Sequence, residues 1–275
     1  MTAPAQARRG LPDQARCWVL PALLSALLVA WLVVPLIPLV MWAVASRWSG
    51  TARLPQDVGL RGWREARDAG VIPALARSAL LGAAVALIAT PLGVLAGRAL
   101  GWRQLRRPAL PSVVLLGPVV LAPFAVAMGL DVVILRLGIP GSVAVVLVLS
   151  VFALPYTTFT MRAAHLGVDP ALEEQARVLG ASSRQARRRV TLPAVTSGLL
   201  VATGLAFLVG WSDYAVTLLI GGGQIVTAPL LIGSAAAGSG NDALTSTLAV
   251  SASVPSLVAL AVFTHAASRR RKAAR

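Results

Sequence analysis

Few residues in this 275-residue sequence have side chains suited to acid–base or metal chemistry: ten Asp and Glu, two His and one Cys. Glu173 and Glu174 are adjacent, and a pair of neighbouring carboxylates is the usual first candidate for a general acid and base. On a helix, however, adjacent side chains point about 100° apart. Arginines along the same stretch also keep both carboxylates ionised. We therefore expect no catalytic residue in this chain.

The candidates for metal or nucleotide chemistry are equally isolated. His165 and His265 have no acidic or cysteine cluster beside them, which favours structural roles over metal binding. The single cysteine, Cys17, excludes a disulfide within these residues. The sequence contains no G-x-x-x-x-G-K-[ST] motif, and its only lysine is Lys272. We expect no metal site and no cofactor, so any ATP would be bound by a partner subunit.

The composition indicates a membrane protein. The sequence is 57% hydrophobic and 13% charged, and its mean hydropathy of +0.77 is too high for a soluble domain of this size. A formal net charge of +15 would be compatible with nucleic-acid binding, but the basic residues form short clusters beside apolar runs. Membrane orientation explains such clusters better. We expect contact with the lipid bilayer and no binding of nucleic acid.

Apolar runs of transmembrane length predict an all-α, polytopic membrane protein with about six transmembrane helices. A polar tail at 1–17 precedes a first transmembrane helix at 18–46, in which three prolines predict kinks. An extracytoplasmic loop at 47–72 follows, with a short interfacial helix predicted near 63–69. The other five transmembrane helices form a core at 73–268, before a basic tail at 269–275. Their predicted ranges are 73–96, 111–130, 141–161, 194–220 and 243–267.

The distribution of positive charge favours six crossings over seven. The stretch 215–241 is largely apolar, but its triple glycine at 221–223 and its Thr227-Ala228-Pro229 are typical of a re-entrant segment that other parts of the protein cover. With six crossings, the inner segments hold 18 of the 25 Arg and Lys, with three, four, six and five in successive segments. A seventh crossing would move the cluster at 269–272 outside, against the positive-inside tendency. Both termini are therefore expected in the cytoplasm.

One long polar stretch, Asp169–Pro193, lies between two predicted transmembrane helices. Asp169 is a suitable N-cap for a first short helix, and Gly180 provides a C-terminal stop. Ser182 or Ser183 would cap a second short helix that carries four arginines. A polar helix–glycine–helix in this position must project from one membrane face, and the charge distribution assigns it to the cytoplasm.

The spacing in this stretch resembles the EAA loop of permease subunits in binding-protein-dependent ABC importers, which reads E-A-A-x3-G-x9-I-x-L-P. Here Glu174-Gln175-Ala176 is followed by three residues, Gly180, nine residues and Val190-Thr191-Leu192-Pro193. Gln175 replaces the first Ala, and its larger side chain would alter the fit to an ATPase groove. Leu154-Pro155-Tyr156 and Arg77-Ser78-Ala79-Leu80 also resemble family segments, so the likeness covers residues 75–268.

This resemblance implies the type I ABC importer permease fold and a transport subunit of the bacterial inner membrane that is not itself an enzyme. Two permease subunits, the same chain or different ones, would form the substrate path above a cytoplasmic ABC ATPase dimer. An extracytoplasmic solute-binding protein would deliver the substrate. The loop would dock into a groove of the ATPase, and Glu174 would order the loop and help that docking. The ATPase-coupling residues implied are Glu174, Gln175, Ala176, Leu179, Gly180, Ala181, Leu192 and Pro193.

The candidates for the substrate path are Trp211, Ser212, Asp213 and Tyr214. A carboxylate at the bilayer centre costs roughly 2.5–3.5 kcal/mol on insertion scales, so it normally faces a cavity or a partner. Asp213 either faces the path, where a cationic group on the substrate would suit it, or lies at the outer water boundary and caps a helix break. The segment Trp211–Leu231 resembles the polyamine, thiamine and ferric-ion branch of these permeases.

A self-contained secondary transporter or channel is the alternative. It would predict inverted internal repeats and intramembrane carboxylates that couple transport to an ion. We find no clear repeat in the sequence, and Asp213 is the one carboxylate of that kind. A membrane anchor without transport would leave the helices interrupted by Gly and Pro unexplained. Neither alternative requires the EAA spacing.

Overall fold

The computed structural model describes residues 23–273 apart from 32, 49–51, 53, 103–108, 239 and 241. The first helical region comprises α1 (Leu23–Trp31) and α2 (Leu36–Ala43), with a turn at Val34 and Pro35 between them. Proline interrupts the helix here because its ring fixes φ and removes a backbone donor. The kink predicted for this region is confirmed, whereas the start of the helix at 18–22 and the tail at 1–17 lie outside the described residues.

The extracytoplasmic region predicted at 47–72 contains a small antiparallel pair of strands as well as a helix. Strands β1 (Ala45–Arg47) and β2 (Asp57–Val58) pair with each other, which the all-α prediction did not include. The interfacial helix forms as α3 (Arg61–Asp68), and its buried residues Gly62 and Ala66 face inwards. Because α3 packs against the last helix, α13 (Asp242–Ala273), this region is attached to the helical bundle rather than projecting freely.

Three long helices form the centre of the bundle: α4 (Val71–Gly101), α7 (Gly141–Leu166) and α10 (Leu192–Trp211). All three pack against one another. A Cβ atom added at Gly97 of α4 would lie 2.6 Å from the Cβ of Met161 and 2.8 Å from the backbone nitrogen of Arg162, both in α7. Small residues of this kind let helix backbones approach closely, which is the main source of helix association in lipid.

The third predicted transmembrane helix differs from the structure. In place of one helix at 111–130 there are two, α5 (Ala109–Val120) and α6 (Pro123–Leu137), bent by 98°. Pro123 begins the second helix, as expected for a residue that favours the first helical position. Asp131 and Arg136, which fall between the helices predicted at 111–130 and 141–161, lie in α6, because its stop is Gly138, whose φ is +65°.

The segment after α10 folds as two short helices, α11 (Ala215–Leu219) and α12 (Ala228–Ala236). At five and nine residues they are about 8 and 14 Å long, well short of the roughly 30 Å hydrocarbon layer. This agrees with the re-entrant segment predicted at 215–241. The last helix, α13 (Asp242–Ala273), packs against α10, α2 and α12.

By length and composition, four helical stretches in the described part of the chain could cross a membrane. They are Val71–Gly101, Gly141–Leu166, Ser183–Trp211 and Asp242–Ala266. Counting each of the bent pairs α1–α2 and α5–α6 as one crossing raises the number to six. The all-α, polytopic fold is therefore confirmed, and six crossings is its upper count.

Close packing between α4 and α7 predicts a specific sensitivity to added volume. Gly97→Ala should lower the free energy of unfolding by about 1–3 kcal/mol, because the new methyl group meets backbone atoms of α7 that cannot move independently. Gly129→Ala in α6 is the matched control, since a Cβ there meets no atom of the described residues within 4 Å. Thermal unfolding of the detergent-solubilised protein measures both. Equal melting temperatures for the two variants would contradict the packing argument.

Candidate functional site

The polar stretch 169–193 begins with a helix whose ends are set locally. Helix α8 (Ala171–Val178) starts where the backbone N–H of Ala171 donates to Asp169 Oδ1 at 2.9 Å. It stops before Gly180, whose φ of +92° lies in the left-handed region that suits glycine. The local sequence thus explains why the stretch turns sharply at this glycine, as predicted.

A second helix follows and leads directly into the membrane. Helix α9 (Ser183–Ala186) has a reciprocal capping box, in which Ser182 Oγ accepts from the N–H of Gln185 and Gln185 Oε1 accepts from the N–H of Ser182. It continues as a π-helical turn, Arg187–Thr191, and then as α10. A π-turn inside a longer helix is rare and is found frequently at functional sites.

Glu173 is the carboxylate that attaches α8 to the membrane helices. Its side chain is 10% exposed, and its Oε1 accepts a hydrogen bond from Arg98 Nη2 of α4 at 3.0 Å. Its Oε2 accepts from Thr191 Oγ1, at the end of the π-turn, at 2.7 Å. Burial alone would raise the pKa of Glu173. The hydrogen bonds from Thr191 and Arg98, with the charges of Arg98 and Arg187, outweigh burial and hold that pKa below its ordinary value.

Aromatic and imidazole groups surround the Arg98 end of this ion pair. The guanidinium carbon of Arg98 lies 4.5 Å from the centroid of the Trp102 ring, a cation–π contact. Trp102 Nε1 donates to the backbone oxygen of His165 at 3.0 Å. His165 is 1% exposed, and its Nδ1 lies 2.8 Å from the backbone oxygen of Met161. His165 therefore has the structural role that its sequence setting favoured.

The opposite face of the loop is exposed and partly apolar. Val178 and Leu179 are each 88% exposed. Of the coupling residues that the resemblance implied, Glu174, Gln175, Leu179, Gly180, Leu192 and Pro193 are exposed, while Ala176 and Ala181 are half-buried. Their role in coupling stays a prediction. The sequence interpretation missed Glu173 and Val178, although an apolar residue next to Leu179 in a polar loop was a usable signal.

Asp213 caps a short helix immediately after α10 ends. Its Oδ2 accepts hydrogen bonds from the N–H and the hydroxyl of Thr217 at 2.8 and 2.9 Å. Its Oδ1 accepts a longer one, of 3.4 Å, from the N–H of Val216. The structure thus contains the helix-break cap that was one of the two interpretations, and it leaves Oδ1 less fully occupied than Oδ2.

Asp213 also lines a cavity of about 410 Å³, so the second interpretation also matches the geometry. Ser212 and Tyr214 lie in the same wall, and Phe152 and Tyr156 of α7 lie opposite on a separate helix. Trp211 is 4% exposed, its ring is stacked on Phe207, and it lines a neighbouring cavity instead. Three of the four candidates therefore share one cavity, which combines a carboxylate with aromatic rings.

The re-entrant segment is held in place by a residue of α4. Ser78 Oγ accepts a hydrogen bond from the backbone N–H of Ala228 at 2.8 Å, and Ser78 is fully buried. Ala228 is the first residue of α12, whose N–H groups have no partner within the helix. Ser78, singled out in the Arg77–Leu80 segment, thus fixes the start of α12.

Comparison with known proteins places these features in context. A family model described as "Binding-protein-dependent transport system inner membrane component" matches residues 89–272, which is about two thirds of the chain. The matched range includes the 169–193 loop and Asp213. It also includes all of α5, α6, α7 and α10, and α13 except its last residue.

Individual relatives match shorter stretches. The chain is 31% identical over 116 residues to the trehalose transport system permease protein SugB of Mycobacterium tuberculosis, covering 41% of this chain and 42% of SugB. It is 36% identical over 67 residues to the diacetylchitobiose uptake system permease protein DasC of Streptomyces coelicolor, 24% of either chain. A 57-residue match, 42% identical, to the probable ABC transporter permease protein y4fN of Sinorhizobium fredii covers 21% of this chain and 10% of that one. The chain thus spans less than half the length of each curated relative.

A solved structure shares the fold over almost the whole chain. It is described as the crystal structure of a bacterial ABC transporter involved in the import of the acidic polysaccharide alginate. The match has a TM-score of 0.63 and 15% sequence identity, and it covers 94% of this chain and 98% of that one. At this identity the likeness shows the fold alone.

The lowered pKa of Glu173 predicts an acid-dependent loss of stability. Because the folded-state pKa lies below the ordinary value of 4.5, the unfolded chain binds more protons in acid, so the free energy of unfolding rises with pH there. The Glu173 contribution is fully present above about pH 4.5 and disappears as the pH falls through the folded-state value. Melting temperatures of wild type and Glu173→Gln, measured from about pH 7 to about pH 3, should converge in acid.

The control for this measurement is Glu65→Gln, the same change in the exposed Arg61–Glu65 pair of α3. An exposed pair within one helix contributes only about 0.3–0.5 kcal/mol, so this variant should follow the wild type at every pH. At neutral pH, Glu173→Gln should destabilise by about 1–3 kcal/mol, since it leaves the Arg98 charge without its partner. A difference between Glu173→Gln and wild type that does not change with pH would contradict the ionised carboxylate.

Proposed function

Because the chain belongs to the family of binding-protein-dependent transport system inner membrane components, we propose that it is the permease subunit of an ATP-driven ABC importer. Its membrane helices form part of the substrate path, and its 169–193 loop transmits conformational changes of a separate ATPase to those helices. The subunit is a multi-pass protein of the bacterial inner membrane with both termini in the cytoplasm. It has no ATPase site of its own, and ATP is bound and hydrolysed by the partner.

The observation that carries this proposal is the exposed apolar tip of the loop. Exposed leucines on the long helices face lipid, but Val178 and Leu179 project from a polar segment that does not cross the membrane. Single exposed apolar residues are common on protein surfaces, but adjacent ones that form a patch within a polar segment are typical of a protein interaction site. Arg184, Arg188 and Arg189 are exposed on the next part of the loop and would face an acidic rim on the partner.

The complete importer contains more than this chain. It would comprise a second permease subunit (the same chain or a different one), a cytoplasmic ABC ATPase dimer and an extracytoplasmic solute-binding protein. ATP binding would close the ATPase dimer, displace the docked loops and turn the membrane helices from an inward-facing to an outward-facing state. A secondary transporter would have no use for an exposed apolar tip on a cytoplasmic loop.

Two substrate classes have support from separate observations. The Trp211–Leu231 segment resembles the polyamine, thiamine and ferric-ion branch, and the Asp213 carboxylate beside aromatic rings suits such a small cationic solute. Two relatives are named for the transport of trehalose and the uptake of diacetylchitobiose, and aromatic rings beside a carboxylate also suit a sugar. We propose a small solute as substrate. Transport of a cationic solute should depend on the negative charge of Asp213, whereas transport of a neutral sugar should not.

Leu179→Asp should remove the ATPase from the purified complex. A charge at the centre of an apolar docking site costs at least about 2 kcal/mol, so recovery of the ATPase should fall roughly thirtyfold. The measurement is a pull-down of the tagged chain from native membranes in mild detergent, with partners identified by mass spectrometry. Leu60→Asp is the matched control, because Leu60 is 64% exposed beside α3, in the predicted extracytoplasmic region.

The same pull-down decides the general proposal. Recovery of an ABC ATPase with wild type supports the importer, and Glu174→Ala tests the role expected for that residue. If wild type comes out alone and moves solute in liposomes on an ion gradient without ATP, the secondary transporter is correct. A binding protein that co-purifies would also narrow the substrate class.

Asp213→Asn should distinguish the substrate classes. The amide keeps an acceptor for the Thr217 N–H, and Asn caps helices as well as Asp does. The charge is lost, together with the weak 3.4 Å acceptor for the Val216 N–H. Uptake of a cationic solute such as spermidine or thiamine by proteoliposomes containing the complete complex should fall at least about tenfold, as expected for a lost charge–charge contact. Uptake of trehalose should change by less than about threefold, and a tenfold loss for trehalose would assign the carboxylate to sugar binding instead.

A further inference from the structure

Glu173 joins three structural elements through one carboxylate group. One oxygen accepts from Arg98 near the cytoplasmic end of α4, and the other accepts from Thr191, the last residue of the π-turn before α10. The carboxylate itself belongs to α8, which packs otherwise against α9 and the π-turn. Any displacement of α8 away from the bundle must therefore break a charge-assisted hydrogen bond at each end.

The two attachments differ in stiffness. Arg98 is held by the Trp102 ring and projects from α4, which is packed along its length against α7 and α10. Its Nη2 contacts Glu173, whereas Nη1 is buried without a hydrogen bond to any described residue. The pair is thus a single contact and not a two-pronged clamp, so the second hydrogen bond, from Thr191 to the other oxygen, is needed to prevent α8 from rotating about Arg98.

The Thr191 attachment passes through the π-turn. This turn joins α9 to α10 with a widened backbone, in which the hydrogen bonds skip one residue more than in an α-helix. Alone, such a turn could revert to α-helical geometry with a shift of one residue and let the loop move relative to α10. The hydrogen bond from Thr191 to Glu173 opposes that movement. Thr191 is 3% exposed, which keeps water from replacing its hydrogen bond to Glu173.

We propose that Glu173 is the positioning residue that makes α8 move as one body with α4 and α10 when the ATPase displaces the loop. The inference rests on the proposed function. It differs from docking, because the docking face carries Val178 and Leu179, whereas Glu173 points to the opposite, buried side. The residue does not touch ATP, substrate or the ATPase, and it acts through Arg98 and Thr191.

The test measures whether α8 and α4 keep a fixed distance during the ATPase cycle. Spin labels are placed at Arg177 of α8 and Leu95 of α4, both exposed, in a chain with Cys17 replaced by Ser. The complete complex with its ATPase is examined at rest and after trapping with Mg-ATP and vanadate, so no substrate is needed. In wild type the distance distribution should be the same in both states. In Glu173→Gln and Thr191→Val it should broaden or shift by several Å on trapping.

Two further variants test whether the effect depends on the hydrogen bond from Thr191 and on the ion pair with Arg98. Thr191→Ser retains the hydroxyl donor and should behave as wild type, and the charge exchange Arg98→Glu with Glu173→Arg should restore a fixed distance. The amount of ATPase recovered with Glu173→Gln should stay within about threefold of wild type, because the docking face is intact.

The outcomes distinguish the inference from the function on which it rests. If wild type recovers no ATPase, the proposed function fails, and the inference fails with it. If wild type recovers the ATPase and Glu173→Gln keeps the fixed distance, the inference alone is wrong. Loss of the ATPase in Glu173→Gln would also overturn it, since Glu173 would then only maintain the docking face.

Discussion

Close approach of α4, α7 and α10 is the constraint on which the other features depend. Apolar helices gain no hydrophobic free energy when they associate in lipid, so their association depends on close packing of their surfaces. The small residues of α4 permit this packing. Gly93, Gly97 and Gly101 recur every four residues and face Thr157, Met161 and His165 of α7 in turn. A helix repeats its face at this spacing. This seam fixes the axial register of α4 against α7, and with it the positions of Arg98 and Trp102 beside His165.

That register explains how a short polar helix is held firmly below the membrane. An eight-residue helix such as α8 is not stable in isolation, because helices shorter than about 12 residues are marginal in water. It needs tertiary contacts, yet its outer face must stay free. The two faces of α8 have different roles. Glu173 points inwards and accepts hydrogen bonds from Arg98 and Thr191. Val178 and Leu179 point outwards and are exposed. The adjacent carboxylates Glu173 and Glu174 are therefore unequal because successive positions on a helix face different ways.

The sequence predicted what depends on local chemistry and missed what depends on distant partners. The caps at Asp169 and Ser182 and the turn at Gly180 follow from residues within a few positions, and they were predictable. The importance of Glu173 was not, because Arg98 lies 75 residues away and only the fold brings them together. The helix predicted at 111–130 ended before Asp131, whereas α6 continues to Leu137 and stops at Gly138. The family resemblance transferred the loop spacing and the fold, but it singled out Glu174 and did not include Glu173.

Asp213, just after the other end of α10, is also held by hydrogen bonds to a neighbouring helix. A carboxylate that enters the membrane must be offset by donors, and Asp213 obtains them from the first turn of α11. These hydrogen bonds hold Asp213 in place without a ligand. Oδ2 accepts the two shorter hydrogen bonds at the helix break, whereas Oδ1 has only a 3.4 Å contact, and the same residue lines the cavity. A role of Asp213 in substrate recognition stays a prediction. Since Ser78 fixes the start of α12 from α4, movement of α4 would reach the re-entrant segment that follows Asp213. Glu173 and the start of α12 are therefore both hydrogen-bonded to side chains of α4, Arg98 and Ser78 respectively.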